Sequence, residues 1–313
     1  MKPGVLTFTP LFMERVWGGR GLQETFGKPL PDDVPIGESW ELVDRPEAQS
    51  VVATGPLAGT ELHQLWRDDR ERIFGARAAG AGDRLPILVK LLDARETLSV
   101  QVHPPAHLAD ELDGEPKNEL WYVAGAAPGA NLFAGLRKGV TQEEFSAALE
   151  DGEDVSAMLH RVEVQVGDAL FIPAGRVHAI GAGCLVVEIQ QNSDTTYRVF
   201  DFDRPGLDGK PRELHVPQSL TAIDFSDLEP ALRPPGDGLV LANENFTVTH
   251  TRVESAAEQL TAEGECALVC VLSGEATCGE GSFGPGAFFL VPADAGSELP
   301  VAGPAEVLVI ELP

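Results

Sequence analysis

The sequence predicts a mainly β protein of two related barrels, with a few helices inserted in or flanking the first. Three observations lead there. Turn formers are dense, with 33 Gly and 24 Pro among 313 residues. Short apolar runs recur between them, over 50–53, 86–92, 163–166, 169–172, 184–189 and 306–310, and runs of this length bounded by turn residues read as strands. Finally, one phrase occurs twice. A Gly turn, an apolar strand and Pro-Ala run from Gly167 through Pro173, and again from Gly286 through Pro292. With Pro173 set on Pro292, His178 falls on Ser297, so the second copy has no imidazole at that place. The Pro- and Gly-rich stretch 230–238 reads as a linker. The expected domains are therefore 1–235 and 236–313.

Helical signals are few. Leu62, Leu65, Trp66 and Ile73 recur at helical spacing over 60–74. Thr141 followed by Glu144 is a capping box, opening a helix that stops at Gly152. Further short helices are expected over 154–160 and 107–112.

The charge narrows the function. With 23 basic and 49 acidic residues the formal net charge is −26, which argues against nucleic-acid binding, since phosphate recognition needs clustered cations. No uncharged apolar run approaches the roughly 18 residues of a membrane span. Cys184, Cys266, Cys270 and Cys278 form no CxxC pair, and the N-terminus carries no secretory signal. Reduced thiols in a cytoplasmic protein are expected. Cys266, Cys270 and Cys278 offer a second set of metal donors, but the alternation around them suits strand packing.

The most informative stretch is Gln101-Val102-His103-Pro104, after the apolar run 86–92. Residues two apart on a strand share a face, roughly 6.7 Å apart along the chain. Gln101 and His103 therefore aim an amide oxygen and an imidazole at one spot. Glu119 and His178 follow on further strand-like segments, and the four can supply N and O ligands to one divalent metal. The ligand types suit zinc and also resemble an iron facial triad. Ordinary barrel-interior histidines are the plainer alternative for His103 and His178, while His63, His107, His160, His215 and His250 lack such company and read as surface or packing residues. Lys90 interrupts the apolar run. Burying a lysine is costly unless it is paired, so it either meets Asp93 or Glu96 or serves a site.

A Gly turn, strand, Pro-Ala-Gly and His, placed after an upstream x-His and Glu, is similar to the metal-binding pattern of the cupin fold, a jelly-roll barrel. Gln101 at the first ligand position narrows the match. The chain resembles the type I mannose-6-phosphate isomerases in their short bacterial form, through segments at 14–19, 36–40, 98–104, 117–122, 172–181 and 188–199. The resemblance spans residues 14 to 204. It implies two cupin-type jelly-roll barrels, the second without a metal site. It also implies one zinc per chain on Gln101, His103, Glu119 and His178, and interconversion of mannose 6-phosphate and fructose 6-phosphate through a cis-enediol.

Under that resemblance Arg198 is the active-site arginine. Lys117 and Glu188 match pocket positions, and Asp194 is a further candidate for proton transfer; the general base stays open among them. Ser99, Lys90 and Arg204 are expected at the phosphate. Salt bridges to Asp194, Asp201 or Asp203 are the plainer role for Arg198, a solvated loop position for Lys117, and an outward-facing strand position for Glu188. Glu38, Trp40 and Trp17 read as structural or supporting residues. The expected partner is a small phosphosugar, with no nucleic acid or membrane, as a monomer or small homo-oligomer. The rival readings are an isomerase of another phosphosugar, a cupin iron or manganese oxygenase, and a non-enzymatic sugar-binding cupin.

Overall fold

Four antiparallel sheets make up the computed structural model, which describes residues 4–295 and 298–313. Six strands lie side by side in the first, in the order Leu11–Gly19, Ile36–Leu42, Ile87–Ala94, Cys184–Gln191, Glu119–Ala126 and Ala169–Ile172. A second sheet runs Tyr197–Phe200, Val100–Val102, His178–Ile180, Asn131–Leu136 and Leu159–Glu163. The third is Gly238–Ala242, Thr247–Val253, Ala305–Glu311, Ala267–Gly274 and Phe288–Val291, and the fourth is Gly281–Phe283, Ala276–Cys278 and Val301–Ala302.

The repeat seen in the phrase extends to topology. Numbered by chain position within each half, the last four strands of the first sheet lie in the order first, fourth, second, third, and so do the last four of the third sheet. Both copies of the phrase end such a sheet. Ala169–Ile172 pairs with the strand beginning at Glu119, and Phe288–Val291 with the strand beginning at Ala267. Gly167 and Gly286 turn the chain into them at φ 93° and 77°, a region open to glycine at little steric cost. Ser297, the position aligned with His178, lies outside the described residues.

Strand alternation divides the first sheet into two faces. Val89, Leu91, Leu120, Tyr122, Val187 and Ile189 are buried in one core with Val248, Leu268, Leu308 and Ile310 of the third sheet. The alternate residues Lys90, Leu92, Glu119, Trp121 and Glu188 line a cavity on the other face. A one-residue slip in any of these strands would exchange core for cavity residues, so the apolar contact with the third sheet fixes where the polar groups point. The four cysteines are free and buried. In Ala267–Gly274, Cys270 faces the shared core and its neighbours Val269 and Val271 the opposite one, as their alternation suggested.

The helical expectations were met unevenly. The Thr141 capping box is present and opens the helix Gln142–Glu150. The span 60–74 breaks into Leu62–Asp68 and Arg70–Phe74. The break is at Asp69, whose carboxylate accepts from Arg72 Nε at 2.9 Å; short acidic side chains favour such local bonds over helix interiors. Residues 107–112 form turns instead of a helix. The span 154–160 holds one 3₁₀ turn, Val155–Met158, capped by Asp154. Residues 50–53 make isolated bridges, not a strand, and the strand expected at 163–166 ends at Glu163.

Candidate active site

His103, Glu119 and His178 come from three separate strand regions, yet one donor atom from each lies within 4.8 Å of the others. All three are buried, at 1%, 1% and 0% exposure. Sheet register does the assembling: Gln101 stands opposite His178 on one side and Arg198 on the other. Each imidazole is oriented by a backbone carbonyl. His103 Nδ1 lies 2.9 Å from Thr195 O, and His178 Nδ1 lies 2.8 Å from Arg176 O. An N–H donated there leaves the lone pair on Nε2, as metal-binding histidines require. Both Nε2 atoms are buried without a hydrogen-bond partner and sit 3.5 Å from the Glu119 carboxylate. Burial lowers the pKa of both rings, that of His178 to about 3, so both are neutral donors. Two orphaned lone pairs beside a carboxylate fit a divalent transition metal.

Lys117 bridges this cluster to the rest of the cavity. Its ammonium lies 2.8 Å from Glu119 and 3.2 Å from Glu188, and all three are buried. Burial works against the Lys117 charge, but the two carboxylates outweigh it and raise its pKa. Burial would likewise raise Glu119; Lys117 and His178 reverse this and take it down to about 2. At Glu188 burial prevails, and its pKa is raised. The cluster therefore holds one carboxylate firmly ionised and one that takes a proton more readily.

The cavity is about 540 Å³, the size of a small-ligand site. Ser99, Lys90, Gln101, Lys117, Glu119, Glu188, Asp194 and Arg198 all line it. Lys90 is 4% exposed and packs over the Trp40 ring at 5.0 Å. Among the described residues it makes no ion pair with Asp93 or Glu96; its charge acts instead on Glu38 and Glu188. Arg198 hydrogen-bonds Glu213 O through Nη1 at 2.8 Å, while its buried Nε has no partner. It forms no salt bridge to Asp194, Asp201 or Asp203 among the described residues, so its guanidinium remains open to a ligand. Arg204, by contrast, does not line the cavity. Its Nε donates to Asp201 at 3.0 Å and its Nη1 to Thr97 O at 2.6 Å.

Sequence reasoning missed the role of several neighbours. Glu38 and Trp17 line the cavity directly, joined by Arg15 and Arg212. Arg15 grips Glu38 with two 3.0 Å bonds, and Trp40 Nε1 donates to the same carboxylate at 2.7 Å. Burial would raise the Glu38 pKa, but Lys90, Arg15 and Trp40 bring it to about 2. The alternation of Glu38 and Trp40 with partners across the strand was a usable signal; Arg212, in a loop, offered none.

A family model for the phosphomannose isomerase type I catalytic domain matches residues 5–122. Mannose-6-phosphate isomerase ManA of Bacillus subtilis is 39% identical over 278 residues, covering 87% of this chain and 81% of its own length. The chain belongs to the type I mannose-6-phosphate isomerase family. The mannose-6-phosphate isomerase of Streptococcus mutans is 36% identical over 279 residues, 85% of each chain. The crystal structure of the Bacillus subtilis mannose 6-phosphate isomerase matches with a TM-score of 0.87 at 30% identity, over 99% of this chain and 100% of that one. The apo enzyme from Salmonella typhimurium, 18% identical with a TM-score of 0.76 over 99% of each chain, shares the fold.

Proposed function

We propose that the chain is a zinc-dependent aldose–ketose isomerase interconverting mannose 6-phosphate and fructose 6-phosphate through a cis-enediol. The observation that carries this is the buried His103–Glu119–His178 cluster opening, through Lys117 and Glu188, onto a cavity with an unpaired Arg198. His103, Glu119 and His178 would hold the ion, with Gln101 as a fourth ligand. When bound, it supplies Lewis acidity toward a sugar oxygen.

The remaining work falls to side chains. Isomerisation moves a proton from C2 to C1, which needs groups able to give and take it near both carbons. Glu188, Lys117 and Asp194 share the cavity with the cluster, and burial raises the Glu188 pKa, which makes it the readier of the two buried carboxylates to take up a proton. Negative charge develops on the enediolate oxygens, and a preorganised guanidinium stabilises it; Arg198 takes that role. Ser99 and Lys90 are proposed at the phosphate end; Arg204, expected there from the resemblance, does not line the cavity and is held by Asp201 and Thr97 O. With a net charge of −26 the molecule cannot attract a dianion at long range, so affinity rests on a few close cations.

We read residues 1–235 as the catalytic domain and 236–313 as a second domain without a metal site, each built on a cupin-type jelly roll. The repeated strand order supports this, and an experimental structure with metal on Cys266, Cys270 or Cys278 would overturn it. A cytoplasmic enzyme accords with the four free, buried cysteines. No helix among the described residues is long and apolar enough to cross a membrane.

The test is a coupled assay that follows fructose 6-phosphate formed from mannose 6-phosphate. Turnover is expected, with far less on unphosphorylated mannose. Equal rates on the two sugars, or none on either with metal-loaded protein, would reject the proposal.

A further inference from the structure

After the strand Tyr197–Phe200 the chain makes a strained turn and returns along the cavity. Phe202 and Asp203 both adopt left-handed backbone, at φ 56° and 51°. Each costs about 1 kcal/mol or more in a residue with a side chain. Beyond them a short strap closes on itself. Pro205 and Pro211 form a bridge, Gly206 N donates to Lys210 O at 2.6 Å, and Lys210 N donates to Asp208 Oδ1 at 3.0 Å. Gly206, Leu207, Asp208 and Arg212 of this strap line the cavity. Leu207 stays 58% exposed.

One buried carboxylate anchors the strap. Asp201, 6% exposed, accepts from Arg212 Nε at 2.6 Å and from Arg212 Nη2 at 2.5 Å. It also accepts from Arg204 Nε at 3.0 Å. Arg204 turns its Nη1 to a backbone carbonyl, and the exposed Glu96 approaches it at 3.9 Å. Asp201 also lies along one edge of Arg204, 2.9 Å from its Nη2; Arg212 differs at Nη1 and in lining the cavity. Asp201 takes one edge of its guanidinium, and among the described residues its Nη1 has no hydrogen-bond partner. Arg198, a few residues back, also has an unpartnered nitrogen. Two guanidiniums thus share one buried carboxylate, in a chain that is acidic overall.

We infer that Arg212 is the specificity-determining contact for the phosphate of the substrate, carried to it by the strap, with Asp201 as its positioning residue. A guanidinium gripped along one edge presents its other nitrogen in a fixed direction, and fixed donors are what phosphate oxygens reward. Arg204 then braces the turn from behind. The inference rests on the phosphosugar reading above and adds a residue that the motif resemblance does not reach, since that resemblance ends at 204.

The experiment uses the full-length, metal-loaded enzyme and two probes: mannose 6-phosphate in steady-state kinetics and inorganic phosphate in calorimetry. Arg212→Ala should raise KM by tenfold or more, keep kcat within threefold, and weaken inorganic phosphate by a similar factor. Arg212→Lys should recover part of both losses, and Asp201→Asn should raise KM in the same direction by freeing the guanidinium. Lys210→Ala removes the same charge from the strap without touching the cavity and should leave both readouts within twofold. If Arg212→Ala does not fold, Arg212→Gln, which keeps a donor for Asp201, carries the same test. Unchanged KM and phosphate affinity in a folded Arg212 variant would overturn the inference. A wild-type enzyme that binds phosphate through Arg212 yet fails to turn over mannose 6-phosphate would support the strap and reject the isomerase reading.

Discussion

Replacing Lys117 by Met removes an ammonium shared by two buried carboxylates. Lys117 lies 2.8 Å from Glu119 and 3.2 Å from Glu188, with the three side chains at 5%, 1% and 3% exposure. Deleting one partner of a buried ion pair typically costs about 3–5 kcal/mol, because a desolvated charge is left uncompensated. Here Glu188 offers relief. Its pKa is already raised by burial, so in the variant it takes up a proton and the loss should fall near 3 kcal/mol. Adding Glu188→Gln removes the stranded charge outright and should return about 1 kcal/mol or more, a coupling expected between contacting groups. Zinc held by the proposed cluster would supply positive charge beside Glu119, so the loss should shrink further when the metal is added. Urea denaturation followed by circular dichroism, in chelator and in zinc, measures all three quantities. A loss below about 1 kcal/mol, or one indifferent to both the second substitution and zinc, would show that Lys117 does not balance this cluster.

Three further outcomes follow from the same geometry. Arg198→Lys should lower kcat roughly tenfold or more with little change in KM, since a point charge does not replace a planar fork in the transition state; normal turnover would remove Arg198 from the chemistry. Glu38 is held at about 2 against its usual 4.5, worth about 3 kcal/mol when ionised. That stability is present above the unfolded-state value near 4.5 and is lost as pH falls through about 2. The deficit of Glu38→Gln in urea melts should therefore be largest at pH 7 and smaller at pH 4, and a pH-independent deficit would contradict the Lys90–Arg15–Glu38 arrangement. Thr141→Ala should cost about 1 kcal/mol by removing the capping box, read as a lower melting temperature with unchanged activity.

What was legible in the sequence was whatever rests on strand alternation. Gln101 and His103, or Lys90 between Val89 and Leu91, declare their faces by spacing, and the sheets then bring them together. The burial of Lys90 was equally visible as an anomaly, although its neighbour proved to be the Trp40 ring and not Asp93 or Glu96. Loop residues lacked such a rule. Arg204 and Arg212 lie eight residues apart and both bind Asp201; what separates them is that Thr97 O captures Arg204 alone. The helix over 60–74 failed for a local reason, since apolar periodicity continues across Asp69 while the backbone does not. Membership in the isomerase family came from several short segments in order, each weak by itself.

The most direct test of a metal-centred isomerase is a titration of metal-free protein with zinc, following turnover of mannose 6-phosphate and bound metal in the same sample. Turnover should be near zero after chelation and rise linearly to a plateau at about one zinc per chain. His178→Ala and His103→Ala should stay low in both metal and activity, while His250→Ala, away from the cluster, should match the wild type. Full turnover in exhaustively chelated protein, or zinc that binds stoichiometrically to a His103→Ala, His178→Ala double variant, would contradict the assignment.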